Sequence, residues 1–211
     1  MFEHVEKIVG PYKKPQTSFQ SYDHRAPKVA NHLMNLAASY LPEVAIEHIG
    51  STAIAGCPGK GIIDLMALYP KGRLDVVNEL FLAMGFQRQG KEFKNKFPDA
   101  RPVMMGTFEY ENTPFLVYIH VIQKDSYEAV RFRIFRDRLN SDTELLSAYI
   151  DEKKRIISEG ITDTDDYAEM KQSIIQRILG TDYDESTHIR PFINHMTAEQ
   201  RNSADAKKRR G

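Results

Sequence analysis

The chain has 211 residues, enough for one domain with a full core, and its 41% hydrophobic and 27% charged residues are ordinary globular usage. Lysine plus arginine equals aspartate plus glutamate at 29 each, which gives no strong nucleic-acid signal yet permits a local basic pocket. One cysteine, Cys57, excludes an internal disulfide, and no apolar run has transmembrane length or the form of a signal-peptide core, so a cytoplasmic protein without a membrane partner is expected.

Residues 1–22 read as irregular, because Pro11 and Pro15 discourage a long helix. Residues 25–40 carry a helical stripe of Val29, Leu33, Leu36 and Tyr40. Pro42 ends it, and Val44–Ile49 follows as a strand. Ile62–Tyr69, closed by Pro70, is nearly continuous in hydrophobicity, the pattern of a strand buried on both faces. Asp64 interrupts that run and needs a partner or a strand-end position, since an unpaired buried carboxylate is costly. Residues 73–84 suit a helix through Leu74, Val77, Leu80, Phe81 and Met84, stopped by Gly85.

Two strands, 103–110 and 115–122, are joined by Glu111-Asn112-Thr113-Pro114 as a hairpin turn. In the second, Phe115, Val117, Ile119 and Val121 share one face, with Leu116, Tyr118, His120 and Ile122 on the other. Helices are expected over 126–139, 142–159 and 164–179, with a capping box at Ser141 and Glu144 and stops at Gly160 and Gly180. Strands first and helices later indicate an α+β fold. A domain over 1–180 precedes a polar extension, 181–211, expected to be partly disordered.

The most informative stretch is His48-Ile49-Gly50-Ser51-Thr52, then Gly56, Lys60 and Ile62-Ile63-Asp64. It reads as strand, Gly-Ser turn, short helix, loop and second strand. Backbone N–H groups at a helix start lack intrahelical partners, and glycine lets an anion approach, so the turn can hold a phosphate. A plain Gly-Ser helix cap fits the same residues. Asp64 can hold a hard cation that bridges to the phosphate, or simply cap a loop or pair with Lys60. Met66 lies two residues on, where a second ligand would share the face, and cannot bind such a cation. His120 can act as a base or hydrogen-bond a neighbour, and His48 suits an orienting role. Tyr149 with Lys153, and Tyr167 with Lys171, are four apart and share helix faces. A nucleophilic Cys57 needs a lowered pKa and a positioned base, and the sequence shows neither.

The run Glu47 to Ala53 with Gly56, Lys60 and Asp64 resembles the GrpB (UPF0157-like) family of the nucleotidyltransferase superfamily. Ile119-His120-Val121, Phe135-Arg136-Asp137-Arg138-Leu139 and the two Tyr-x-x-x-Lys pairs extend the resemblance over roughly residues 10–180. Ala55 and Gly61 stand where prolines are usual, and Cys57 where leucine is, which loosens the loop. The resemblance implies a nucleotidyltransferase-like small mixed β-sheet flanked by helices, with a C-terminal helical layer. It also implies Mg²⁺-dependent transfer of a nucleotidyl group from ATP or another NTP to a small-molecule acceptor. In that reading Gly50, Ser51 and Thr52 contact phosphates, Asp64 anchors the metal, and Lys60, Arg136, Lys153 and Lys171 neutralise charge. His120 is then the base, and the tyrosines stack a nucleobase or bond a sugar. The acceptor is a hydroxyl, an amine or a carboxylate, the last giving an acyl-adenylate that leads to an amide. Superfamily enzymes pair two acids where this chain has Asp64 and Met66, so a two-metal arrangement is not expected. A different class is a catalytically degenerate nucleotide- or coenzyme-binding accessory module, as the fusion of GrpB-like domains to dephospho-coenzyme A kinase in some bacteria implies. A third is an interaction protein that docks through residues 126–179.

Overall fold

The apolar run around Leu65 builds the middle of a six-stranded mixed sheet. The computed structural model describes residues 2–13, 19–90, 99–161 and 163–180. In chain order the elements are β1 (Val9–Gly10), α1 (Ala26–Tyr40), β2 (Ala45–Ile49), a 3₁₀ turn (Ser51–Ala53), β3 (Ile63–Tyr69), α2 (Leu74–Ala83), β4 (Gln87–Arg88), β5 (Val103–Tyr110) and β6 (Thr113–Gln123). The helices α3 (Tyr127–Ser141), α4 (Thr143–Ser158), α5 (Thr164–Met170) and α6 (Gln172–Leu179) follow. The strand order is β1-β5-β6-β3-β2, with β4 on β5. Only the β3–β6 pair is parallel among these pairings. The α+β fold with a mixed sheet, flanking helices and a C-terminal helical layer is therefore as expected.

Alternation along β3 and β6 divides two faces. Leu65, Ala67, Val117, Ile119 and Val121 pack with Val29, Leu33, Val77 and Phe81 from α1 and α2 into the main core. Replacing Leu65 by alanine there costs about 2–5 kcal/mol by the usual cavity penalty. Met66, Leu68 and Ile122 point the other way, into a smaller cluster with Ile49 and Ala129. Asp64 and His120 have the parity of this second face, towards the helical layer. A separate apolar cluster joins Ile54 and Cys57 to Leu139, Tyr149, Ile174 and Ile178, so the loop after the 3₁₀ turn is packed against α3, α4 and α6.

Four boundaries differ from the sequence expectation. The hairpin turn is only Glu111-Asn112, both with positive φ (49° and 57°), a geometry that matches strand twist. Thr113 and Pro114 belong to β6; pairing with β3 starts only at Val117, so the missing N–H of Pro114 disrupts no ladder bond. Asp142, not Ser141, caps α4, accepting from Leu145 N–H at 2.9 Å, because α3 runs on through Ser141. The helix expected over 164–179 is divided at Lys171 into α5 and α6. Two-residue β1 and β4 are too short for periodicity to reveal. Residues 181–211, read as a polar extension, lie outside the described residues. No helix among the described residues is long and apolar enough to cross a membrane.

Candidate functional site

Antiparallel pairing of Ile49 with Asp64 brings the end of β2 beside the start of β3. The chain turns there through Gly50, whose φ is 71°. A Cβ at Gly50 would overlap the Asp64 Oδ2 oxygen, so glycine is required by conformation and by space. The expected short helix is a single 3₁₀ turn of 3 residues. Its aligned dipoles are few, so side chains must supply most of any attraction for an anion. Asn140 of α3 clasps the following loop, accepting from Ala55 N–H and donating to the Ala53 carbonyl, both at 3.2 Å.

Thr52 turns inward and is 6% exposed. Its hydroxyl donates to the Ile62 carbonyl at 3.2 Å and meets His48 Nε2 at 3.0 Å. With the threonine proton already given to Ile62, His48 is the donor of that pair. Burial pushes His48 down to about 4, with Asp64 opposing and Arg136 adding to the shift, so the ring is neutral near pH 7. His48 and Thr52 thus fasten the turn to β3, and Thr52 does not line the cavity described below.

Asp64 meets His120 through Oδ1 and Nε2 at 3.3 Å. Arg101 reaches His120 Nδ1 at 3.2 Å and also donates from Nε to Glu128 at 2.8 Å. A guanidinium only donates, so His120 Nδ1 accepts and its Nε2 carries the hydrogen towards Asp64. The result is a chain from Glu128 through Arg101 and His120 to Asp64. Both His120 nitrogens are engaged, a geometry that orients the Asp64 carboxylate. Arg101 and Glu128 were not singled out from sequence; 19 residues separate Arg101 from His120, and no local spacing announces the contact.

Facing this chain stand three lysines. Lys153 is 2% exposed; it donates to the Pro58 carbonyl, contacts Cys57 Sγ at 3.6 Å and lies 4.8 Å from the Tyr149 ring centre. Lys171 and Lys60 lie 4.6 and 5.2 Å from the Tyr167 ring. Burial lowers the pKa of Lys153, with Cys57 opposing. Burial lowers Lys171 to about 7, and the like charges of Lys60 and Lys153 add to the shift. Tyr149 and Tyr167 are buried; burial raises Tyr149 well above its ordinary value and Tyr167 to about 12, so both remain neutral phenols. Cys57 is buried in the loop cluster and its thiol is pushed up by burial, which suits packing better than nucleophilic attack.

Ser51, Lys60, Asp64, His120, Lys153 and Lys171 line one cavity of about 470 Å³, with Gly50 and both tyrosines on its wall. Arg136 is not brought there. It bonds Asp137 at 2.7 Å, Glu47 at 3.3 Å and the His48 carbonyl at 3.2 Å, holding α3 against β2.

The donor set tests a metal directly. Asp64 has 25% of its side chain exposed and a hard oxygen, Oδ2, in the niche that Gly50 leaves open. Met66 is fully buried in the apolar cluster, and no group of three His, Cys, Asp or Glu side chains suited to a metal occurs among the described residues. One carboxylate fits a single Mg²⁺ that shares phosphate oxygens and water; it does not fit a metal pair.

The sheet, the turn and the helical layer define a nucleotidyltransferase-type fold. A chain of the GLD-2/RNP-8 complex superposes with a TM-score of 0.53 at 12% identity, covering 74% of this chain and 51% of that one. The conserved protein GrpB from Enterococcus faecalis superposes with a TM-score of 0.60 at 20% identity, over 79% of this chain and 100% of that one. At such identities these likenesses speak for the fold alone. The chain belongs to the GrpB family, whose profile, "GrpB protein", matches residues 16–181. A UPF0157 protein of Streptomyces coelicolor is 26% identical over 176 residues, 82% of this chain and 88% of that protein.

Proposed function

We propose that the cavity binds the phosphate chain of a nucleoside triphosphate and that the protein transfers a nucleotidyl group to a small-molecule acceptor. The observation that supports this most is the convergence of Ser51, Lys60, Lys153 and Lys171 on the cavity that also contains Asp64. The lining sets Lys60, Arg101, Arg131, Lys153 and Lys171 against Asp64 and Glu128, an excess of basic groups that favours a polyanion over a free cation. Ser51 and the lysines hold the phosphates, and Asp64, oriented by His120, would hold one Mg²⁺. That ion supplies charge neutralisation at the phosphates when bound.

The acceptor lies in line with the α-phosphorus, its attacking atom forms the new bond, and pyrophosphate leaves with the electrons of the broken P–O bond. Positioning and fixed charge supply the rate. Both His120 nitrogens are engaged, and a carboxylate acceptor needs no general base. That favours acyl-adenylate formation among the possible acceptors. A second reading, a binding module without turnover, is favoured by the burial of Met66 where a second acid would stand.

Labelled ATP and Mg²⁺ incubated with a metabolite mixture distinguish the readings. Metal-dependent pyrophosphate release by the wild type, lost in Asp64→Asn, is the expected result. Tight ATP binding without release would leave the binding module, and no binding would end both.

A further inference from the structure

Lys153 and Lys171 rest on tyrosine rings in the same way and differ in what else they meet. Lys153 Nζ has acceptors for its protons in the Pro58 carbonyl and the Cys57 sulfur, and both favour the ammonium form. The Lys171 amine has none. Among the described residues it makes no hydrogen bond and no salt bridge, and the Tyr167 ring at 4.6 Å is what holds it. That ring also carries Lys60 at 5.2 Å, so two amines divide the attraction of one aromatic system.

No acid offsets Lys171 at close range. The other cavity-lining residues of α5 and α6 are Tyr167, Ala168, Gln172, Ile175 and Leu179, none of them acidic. Of the two carboxylates on the lining, Asp64 meets His120 and Glu128 meets Arg101. A dehydrated lysine beside other cations, with no acceptor to hold its proton, keeps its lone pair at lower pH than an ordinary lysine does. Burial, Lys60 and Lys153 bring Lys171 to about 7, so a large share of it is free amine at neutral pH.

We propose that Lys171 is a covalent nucleophile, attacking the α-phosphorus of the bound nucleotide to form a lysyl phosphoramidate that the acceptor then cleaves. This rests on the nucleotide-binding reading and divides the single displacement described above into two. In the first, the Lys171 nitrogen gives its lone pair to phosphorus and a P–N bond forms. The P–O bond to pyrophosphate breaks with its electrons, and the surplus proton on nitrogen passes to water. In the second, the acceptor attacks the same phosphorus, and the nitrogen leaves with the P–N electrons and regains a proton from water. Ser51, Lys60 and Lys153 remain for the phosphate charge.

The test of this step needs no acceptor. The full chain is incubated with α-labelled ATP and Mg²⁺, denatured, and read by gel, intact mass and peptide mapping. The expected result is AMP retained on Lys171, lost in acid, stable in alkali, and returned as ATP when pyrophosphate is added. Lys171→Arg keeps the charge but has no lone pair to give, so it should bind ATP and lose the label. Label at another residue, label kept by a folded Lys171→Arg protein, or no label on a wild type that releases pyrophosphate with the metabolite mixture overturns the covalent step and leaves nucleotidyl transfer standing. A wild type that binds ATP yet neither takes label nor releases pyrophosphate overturns it and leaves the binding module. One that binds no ATP overturns both readings. Should Lys171→Arg not fold, the mapped position in the wild type decides alone.

Discussion

The two walls of the cavity handle charge in opposite ways. On the sheet side, Asp64, His120, Arg101 and Glu128 form one continuous chain in which each group satisfies the next. On the helix side, Lys153 and Lys171 rest on the aromatic rings of Tyr149 and Tyr167, and among the described residues neither forms a salt bridge. A carboxylate partner would fix a lysine and also cancel its charge, whereas an aromatic face fixes it and leaves most of the field intact. The sheet wall is thus built for geometry and the helix wall for attraction.

The largest expected effect is on the sheet wall. Gly50→Ala combines a left-handed φ with an overlap on Asp64 and should lower stability by about 3 kcal/mol, read in chemical denaturation. A variant as stable as the wild type would mean that the wall is not rigid.

Lys171→Met should weaken ATP binding by about tenfold, a typical value for one charged contact, while raising the melting temperature near pH 7 because a desolvated cation is removed. Its pH dependence sharpens the point. The ordinary lysine value is 10.5 and the folded value about 7, so between them the unfolded chain binds more protons. Stability contributed through this group rises as pH climbs through that window. Affinity for an anion falls over the same range, by up to about tenfold per pH unit while the free amine predominates. Lys171→Met should flatten both trends, and a persisting slope would assign them elsewhere.

The smallest effect is predicted for Arg136→Ala. Its guanidinium serves Glu47, Asp137 and the His48 carbonyl, so ATP affinity should stay within about twofold while stability drops by about 1 kcal/mol. A large loss of affinity would place the arginine on the cavity side.

Much of this frame could be read from local pattern. Strand alternation gave the two faces of β6, and the interrupted apolar run marked Asp64. The Tyr-x-x-x-Lys spacing put each lysine over its own tyrosine, even though the helix holding the second pair breaks at Lys171. What stayed hidden depends on contacts between distant segments. Arg136 looked available until Glu47 and the His48 carbonyl from another strand were seen to take its donors. Thr52 looked like a second phosphate hydroxyl, but the carbonyl it serves is 10 residues away. The cap at Asp142 was missed by one residue because helix ends are set by where the preceding helix stops.

The apolar cluster uniting Ile54 and Cys57 with Tyr149, Ile174 and Ile178 has a consequence for how this molecule comes apart. It moors the loop that follows the serine turn to the late helices, while Thr52 and His48 hold the turn itself to the sheet. Peeling those helices away would release the loop with them, so the hollow between them assembles and vanishes as a single cooperative piece.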